Sequence, residues 1–205
     1  KSVWRVARTI THRIVDRHIK MFKPRQEEGK VEYVNYLSEV PLSSGSFTLM
    51  ARTNGYVSEM ANYLRSNGFK FSRNGKSSLS DDMVGNILTW DTLCQDKSVG
   101  VQQLKALYSG VKKQGKDAVV RRGSTQLLDA LAPDDMLDMD TLIKDYGLQR
   151  DASTSAYDAL NVASSERDYI DAIFRRGEDL LSSPRIKVST FHAMKGGEDD
   201  NCVVW

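Results

Sequence analysis

The sequence predicts an α/β fold with a parallel sheet that is interrupted by a mainly helical insertion. Residues 47–51 form a short, nearly all-apolar run, which is typical of a strand covered on both faces. A helical pattern and the brief apolar run 69–71 follow, and the order strand, helix, strand indicates parallel pairing. From residue 79 to 184 apolar residues recur at helical spacing, and strand-like runs return at 186–190 and 202–205.

Ahead of this sheet, an amphipathic helix is predicted over the first 22 residues. Its basic residues point outward, and its apolar residues recur at three- and four-residue steps: Trp4, Ala7, Ile10, Ile14, Val15, Ile19 and Phe22. Pro24 and Gly29 end the helix. Residues 31–37 alternate between apolar and polar side chains, which predicts a strand.

The other helices are predicted from apolar stripes. One stripe ends at Gly68, ahead of the insertion. Inside the insertion, Ser80 followed by two aspartates is a favourable helix start, and Pro184 closes the most regular helix, whose stripe runs from Tyr169 to Leu181. The remaining stripes consist of Met83, Ile87, Trp90 and Cys94; Val101, Leu104, Tyr108 and Val111; Leu127, Leu128 and Leu131; and Met139, Leu142, Ile143 and Tyr146.

Length and composition suit one or two globular domains. The 205 residues are 40% hydrophobic and 27% charged, close to globular averages. We expect residues 1–78 and 185–205 to form the α/β domain around an insertion at 79–184. The two cysteines, Cys94 and Cys202, exclude a disulfide framework and a structural zinc site. No apolar run approaches the ~20 residues of a membrane helix, and the charged first stretch excludes a signal peptide, so we expect a soluble, intracellular chain.

Charge is distributed unevenly along the chain. Residues 1–25 carry eight basic residues and one acidic residue, a net charge of +7, whereas residues 129–145 carry six aspartates and one lysine, a net charge of −5. A basic face is compatible with nucleic acid, but charge alone favours a solvated helix face over a nucleic-acid surface. His12 and His18 lie on this basic helix, and we interpret them as surface residues without a metal role.

Residues 74–77 contain Gly-Lys-Ser, the end of a phosphate-binding P-loop. That loop needs a glycine five positions before its last glycine, because its backbone amides must wrap the phosphates. Lys70 occupies this position, Gly68 comes two residues too early, and no obvious helix opens at the Lys-Ser pair. We interpret the segment as a turn after a strand.

A β-rich strand runs into a polar loop within residues 186–198. Thr190, His192 and Lys195 supply hydrogen-bond donors for a phosphodiester, whereas Glu198 can only accept and suits a ribose hydroxyl. Two glycines allow backbone amides to approach a phosphate or sugar. Such a loop at the carboxyl end of a parallel strand is where α/β sheets bind ligands. An ordinary capped turn after a strand is equally compatible with these residues.

Residues 190–198, Thr-Phe-His-Ala-Met-Lys-Gly-Gly-Glu, resemble the Thr-x-His-x-x-Lys-Gly-x-Glu signature of the UvrD/Rep/PcrA-like superfamily 1 DNA helicases. Residues 52–54 resemble the Arg-Thr-Asn segment of the second motor domain, and residues 4–5 resemble the aromatic-arginine pair that opens this domain. Val3 and Ala7 depart from that last pattern, in which a polar residue and a proline are usual. The helical region at residues 79–184 resembles the family only in being an insertion at the position where the family carries one.

The resemblance implies a RecA-like fold, the second motor domain of a P-loop NTPase, with ATP and Mg²⁺ in a cleft against a first RecA-like domain. By similarity Arg5 would reach the γ-phosphate, a role that suits a guanidinium. Gly197 and Glu198 would contact the ribose of the nucleotide. Single-stranded DNA would lie across the top of the two RecA-like domains, and Lys195 would lie between the nucleotide site and the DNA site. The residues that would face this DNA are Arg52, Asn54, Thr190 and His192.

Each assigned residue also has a structural interpretation. Arg5 could be a surface arginine in a basic run. Arg52 and Asn54 could cap the helix that follows them, and His192 could be a satisfied structural histidine.

The family also uses a P-loop, an Asp-Glu pair that holds magnesium and a final arginine-bearing motif, which the sequence lacks. We therefore expect a piece of a larger cytoplasmic helicase from a bacterial or phage-infected cell, inactive as an ATPase alone. Its partners would be single-stranded DNA, duplex junctions and the missing first RecA-like domain. Two alternatives stay open: a non-catalytic RecA-like module that binds nucleic acid or protein, and the helicase part of a nuclease-coupled recombination enzyme.

Overall fold

The computed structural model describes residues 2–16, 26 and 28–205. Within it the chain divides into two units, Lys1–Pro41 and Leu42–Trp205. The sheet predicted from the sequence lies in the second unit.

The first unit contains the helix α1, Ser2–Thr11. The helix predicted over residues 1–22 is thus confirmed in its first half, since residues 12–16 form turns and bends and residues 17–25 lie outside the described part of the chain. Near the end of α1, the Thr9 and Thr11 hydroxyls donate to backbone carbonyls at 3.0 Å. Such side-chain bonds compete with helical pairing, which favours an end at this point.

The strand predicted at 31–37 is wrong. Its first residues have no regular structure, and the segment leads into a 3-10 turn at Leu37–Glu39. An alternating pattern needs a neighbouring strand to cover its apolar face, and the Tyr33 side chain is instead 88% exposed.

The second unit is mixed α/β, with a mostly parallel five-stranded sheet. Four strands run parallel, and the short strand at one edge is antiparallel to its neighbour. In spatial order the sheet consists of β3 (Lys76–Ser77), β2 (Phe71–Arg73), β6 (Ile186–Thr190), β1 (Phe47–Ala51) and β7 (Asn201–Val204). A separate two-stranded ladder, which was not predicted, joins β4 (Val99–Gly100) and β5 (Met136–Leu137).

The chain returns after the helical region to lie beside its first strand, as predicted. β6 pairs with β1 in parallel register, with Phe47 opposite Ile186 and Ala51 opposite Thr190. Leu49 is fully buried at the middle of the sheet, which explains the all-apolar composition of β1. Because β1, β2 and β6 are parallel, the residues that follow them emerge at one edge of the sheet.

The helix α2, Asn54–Ser66, packs on this sheet through Val57, Met60 and Leu64. It ends before Gly68, as predicted. Gly68 adopts a φ of +68°, and a side chain there would collide with the carbonyl group of Ala172. Glycine therefore serves both the left-handed turn and the close approach of a second helix.

The remaining helices lie between β3 and β6 in the sequence. Most of them contain residues of the predicted apolar stripes, but the short helix at Ala156–Ala159 was not predicted. Ser80 caps the first of them, with its hydroxyl accepting a hydrogen bond from the Met83 amide. The last helix was predicted to continue through Leu181, but it ends at Arg175, because Gly177 takes a left-handed φ of +71°. These helices are α3 (Asp81–Cys94), α4 (Val101–Gly110), α5 (Ser124–Leu127), α6 (Met139–Asp145), α7 (Ala156–Ala159) and α8 (Ser164–Arg175). No helix in the described ranges is long and apolar enough to cross a membrane.

Candidate nucleic-acid interface

Two of the predicted DNA-facing segments leave the sheet side by side. Arg52 follows β1 directly, and Phe191 follows β6 directly. The Phe191 amide donates to the Ala51 carbonyl at 3.1 Å, so the two chains stay paired one residue beyond the strands. The structure therefore brings Arg52 and Thr190 together at the carboxyl edge of the sheet.

Arg52 and Asn54 are exposed, and neither caps α2 through its side chain. The N-cap residue is Thr53, and its hydroxyl makes no capping bond. Within the described part of the chain, the Arg52 guanidinium has no ion pair and the Asn54 amide group no hydrogen bond. The capping interpretation is therefore not supported, and both side chains are available to a ligand.

The loop after β6 is a series of tight turns. The Met194 amide donates to the Thr190 carbonyl at 3.2 Å, and the Gly197 amide donates to the Met194 carbonyl at 2.9 Å. Gly196 holds a φ of +83°, which favours glycine. The side chains of His192 and Lys195 are exposed on these turns, so His192 is not a buried structural histidine.

The other end of this loop is tied to the opposite end of the sheet by Asp199. Its side chain is only 5% exposed, and it accepts hydrogen bonds from the Ser46 hydroxyl at 2.5 Å and the Thr48 hydroxyl at 2.8 Å. The Lys187 ammonium adds a contact at 3.3 Å. Burial alone would raise the pKa of Asp199, but these hydrogen bonds outweigh it and hold the pKa below its usual value.

The loop thus crosses the full height of the sheet. Thr190 ends β6 at the carboxyl edge, whereas the partners of Asp199 lie at the amino ends of β1 and β6. Glu198 precedes Asp199 directly, so it belongs to the anchored end of the loop and not to the end at Thr190. Gly197 approaches Met194 closely, because a side chain at Gly197 would lie 3.1 Å from the Met194 methyl carbon.

Arg5 lies in the first unit. Its side chain is exposed on α1 and has no ion pair with a described residue. One turn along, the Arg8 guanidinium lies 5.1 Å from the centre of the Trp4 ring and donates to His12 at 3.1 Å. His12 is exposed, as predicted, and His18 lies outside the described residues.

The described residues do not fit a magnesium–triphosphate group. Asn74 and Gly75 have φ angles of +51° and +77° and form the turn between β2 and β3, so Lys76 lies in a strand and not at the start of a helix. The interpretation of this segment as a turn is confirmed. Within the described ranges, no group of three His, Cys, Asp or Glu side chains could hold a metal ion.

Asp199 and Lys70 are the polar residues that sequence reasoning missed. Lys70 is 3% exposed, and its ammonium donates to the carbonyls of Leu180 and Ser182, which ties the segment after α8 to the sheet. No local signal marks either residue, because the Ser46 and Thr48 partners of Asp199 and the Leu180 and Ser182 partners of Lys70 lie more than a hundred positions away in sequence. Comparisons with protein-family models, curated proteins and solved structures found no match for this chain.

Proposed function

We propose that this chain is the second, RecA-like motor domain of an ATP-dependent DNA helicase of the UvrD/Rep/PcrA-like type. In this proposal it binds the backbone of single-stranded DNA at the carboxyl edge of its sheet. The observation that carries the proposal is the pairing of Phe191 with Ala51. Because of this pairing, residues 52–54 and 190–198 leave the sheet next to each other. Each of these two segments resembles a different helicase motif.

The chemistry of this edge suits phosphodiesters. Arg52 and Lys195 supply positive charge, and both are exposed. The Thr190 hydroxyl accepts from the Ala193 amide at 3.5 Å, which leaves its own proton for an outside acceptor. Contacts of this kind position a nucleic acid without reading its sequence, and they make binding weaken as salt increases.

Arg5, Gly197 and Glu198 are the residues that the proposal assigns to the nucleotide side. A guanidinium can stabilise the negative charge that develops on a phosphoryl group during its transfer. The position of Glu198, beside Asp199 and away from Thr190, agrees with a role separate from the DNA contacts. The main phosphate and magnesium ligands would come from residues other than those described.

A non-catalytic module that binds nucleic acid is the second candidate. It is favoured by the hairpin geometry of residues 74–77, which presents Lys76 from a strand and not from a phosphate-binding loop. Both candidates bind single-stranded DNA, so the test must include hydrolysis.

The experiment measures ATP hydrolysis by the full-length protein that contains this chain, with and without single-stranded DNA. We expect DNA-stimulated turnover, and Arg5→Lys should reduce kcat by about 10³-fold or more, because lysine lacks the planar fork. Arg13→Lys, in the same unit, is the matched control. Absence of turnover with intact DNA binding would favour the non-catalytic module, and normal turnover in Arg5→Lys would remove the role of Arg5.

A further inference from the structure

A basic groove of about 500 Å³ lies between α2 and the hairpin formed by β2 and β3. Three cations line it: Arg65 from α2, Arg73 from β2 and Lys76 from β3. Among the described residues, no carboxylate lines the groove. This surface is separate from the segments 52–54 and 190–198, and its lining includes the lysine and serine of the Gly-Lys-Ser segment that does not form a P-loop.

Two of these cations stand directly opposite each other. Arg73 pairs with Lys76 in the antiparallel register of β2 and β3. Like charges in opposite positions destabilise a ladder. Neither side chain has a carboxylate within ion-pair distance in the described part of the chain. An anion bound between them would relieve this repulsion.

Arg65 differs from the other two cations. It is ion-paired with Glu166, and its guanidinium stacks 4.3 Å from the centre of the Tyr169 ring. These contacts fix Arg65 in place and partly offset its charge. The unpaired charge of the groove therefore belongs to Arg73 and Lys76.

The hairpin is held rigidly. The buried Tyr169 hydroxyl donates to the Phe69 carbonyl at 2.8 Å, and because it has one proton, it must accept from the Ser78 hydroxyl at 2.7 Å. Ser78 in turn accepts from the Phe71 amide at 3.1 Å. This relay fixes both ends of the hairpin to α8, so Arg73 and Lys76 are presented on a preorganised support.

The groove is continuous with the carboxyl edge of the sheet. Arg73 pairs with Val188, two residues before Thr190, so alternation puts Arg73 and Thr190 on the same face. A rise of ~3.3 Å per residue and a strand spacing of ~4.8 Å put their Cα atoms about 8 Å apart. A single strand that contacts Thr190 would thus reach the groove within a nucleotide or two.

We propose that this groove binds backbone phosphates of single-stranded DNA and extends the DNA path from the Thr190 edge across the β2–β3 hairpin. The inference rests on the proposed function, since it takes the same strand as ligand. Arg73 and Lys76 act as point charges on phosphates, so the groove adds affinity without sequence preference. The Gly-Lys-Ser segment serves this purpose through its lysine side chain and not through a cradle of amides.

The test is the salt dependence of binding of the 205-residue chain to an oligothymidine, measured by fluorescence anisotropy. The logarithm of the association constant should fall linearly with the logarithm of the salt concentration. The double variant Arg73→Gln/Lys76→Gln should make this slope less steep by about 1.4, which is about 0.7 for each lost phosphate contact. The matched control Arg122→Gln/Lys144→Gln removes two exposed charges elsewhere and should leave the slope unchanged. Lys76→Gln alone, at an exposed position, should reduce the slope by about 0.7, and it serves if the double variant fails to fold.

The outcomes separate this inference from the proposed function. If Arg52→Gln lowers the affinity but the Arg73/Lys76 variants keep the wild-type slope, the groove is not on the DNA path and the inference is overturned alone. If the wild-type chain does not bind the oligonucleotide, both fail. If tripolyphosphate binds and depends on Arg73 and Lys76 while the DNA slope does not, the groove belongs to a nucleotide and the inference is overturned.

Discussion

The Thr48 hydroxyl donates a 2.8 Å hydrogen bond to the carboxylate of Asp199, and so joins the first strand to the end of the loop that follows β6. The same loop begins at Thr190, at the opposite edge of the sheet. One short segment therefore presents its first residues to one edge and its last residues to the other. This arrangement would let the segment respond to two different ligands.

The Asp199 anchor should make the fold sensitive to acid. Its pKa is lowered in the folded protein, so its contribution to stability is present above the unfolded pKa of about 3.9 and is lost as pH falls through the folded value. We expect wild type to lose stability below about pH 4 more steeply than Asp199→Asn. Urea denaturation at pH 7 and at pH 3 measures the difference.

At neutral pH the same substitution should cost about 1–3 kcal/mol, because the buried Thr48 hydroxyl and the partly buried Ser46 hydroxyl lose a charged acceptor. Asp134→Asn is the control, since Asp134 is exposed and has no ion pair with a described residue. Equal stability of Asp199→Asn and Asp134→Asn at pH 7 would contradict the anchoring role.

The Tyr169 hydroxyl should contribute to stability through its two hydrogen bonds. Burial raises the pKa of Tyr169 to about 12, so the hydroxyl stays protonated throughout the usual range. Tyr169→Phe leaves the Phe69 carbonyl without its donor, and we expect a loss of about 1–3 kcal/mol in the free energy of unfolding. Tyr33→Phe, at an 88% exposed position, should change it by less than ~0.5 kcal/mol. Similar values for the two variants would argue against the relay.

Lys70 should act as a structural cation. Replacing it by methionine removes the donor for the Leu180 and Ser182 carbonyls, which predicts a loss of about 1–3 kcal/mol in chemical denaturation. Lys97→Met is the control, because Lys97 is exposed and its ammonium donates to the exposed Gln95 side chain. An unchanged midpoint for Lys70→Met would show that water can replace the ammonium.

Thr190 and Glu198 should differ in their effects within the full-length protein. Thr190→Ala removes a neutral hydrogen bond worth ~0.5–1.5 kcal/mol, so DNA affinity should fall several-fold without a change in sequence preference. Glu198→Ala should raise the KM for ATP and leave DNA affinity near its wild-type value. Loss of DNA affinity with normal nucleotide kinetics in Glu198→Ala would contradict the assignment.

The strands of the sheet could be predicted where the local pattern of apolar residues matches the burial of those residues in the fold. β1 is buried on both faces over most of its length, and that burial leaves a nearly all-apolar run in the sequence. β6 is marked instead by its β-branched residues on either side of the exposed Lys187. The apolar pattern predicted the wrong structure in two places. The alternating residues around Tyr33 have no neighbouring strand, and the apolar stripe of the last helix continues beyond the residue at which that helix ends. Leu181 continues the stripe of α8 but is 69% exposed, because the left-handed Gly177 has already turned the chain.

The candidate site was predictable only in part, for a related reason. Thr190 and His192 stand in a spaced motif that is read directly from the sequence. Asp199 and the pairing of Arg73 with Lys76 depend on contacts between elements, and periodicity carries no information about them.

The most direct test of the proposed DNA-binding edge is the affinity of the 205-residue chain for single-stranded DNA when Arg52 is replaced by glutamine. Arg52 is exposed and has no ion pair with a described residue, so its loss should not disturb the fold. We expect the Kd to rise about tenfold, equivalent to about 1.4 kcal/mol, whereas the control Arg122→Gln should keep the wild-type Kd. An Arg52→Gln chain that binds DNA as tightly as wild type would contradict DNA binding at this edge of the sheet.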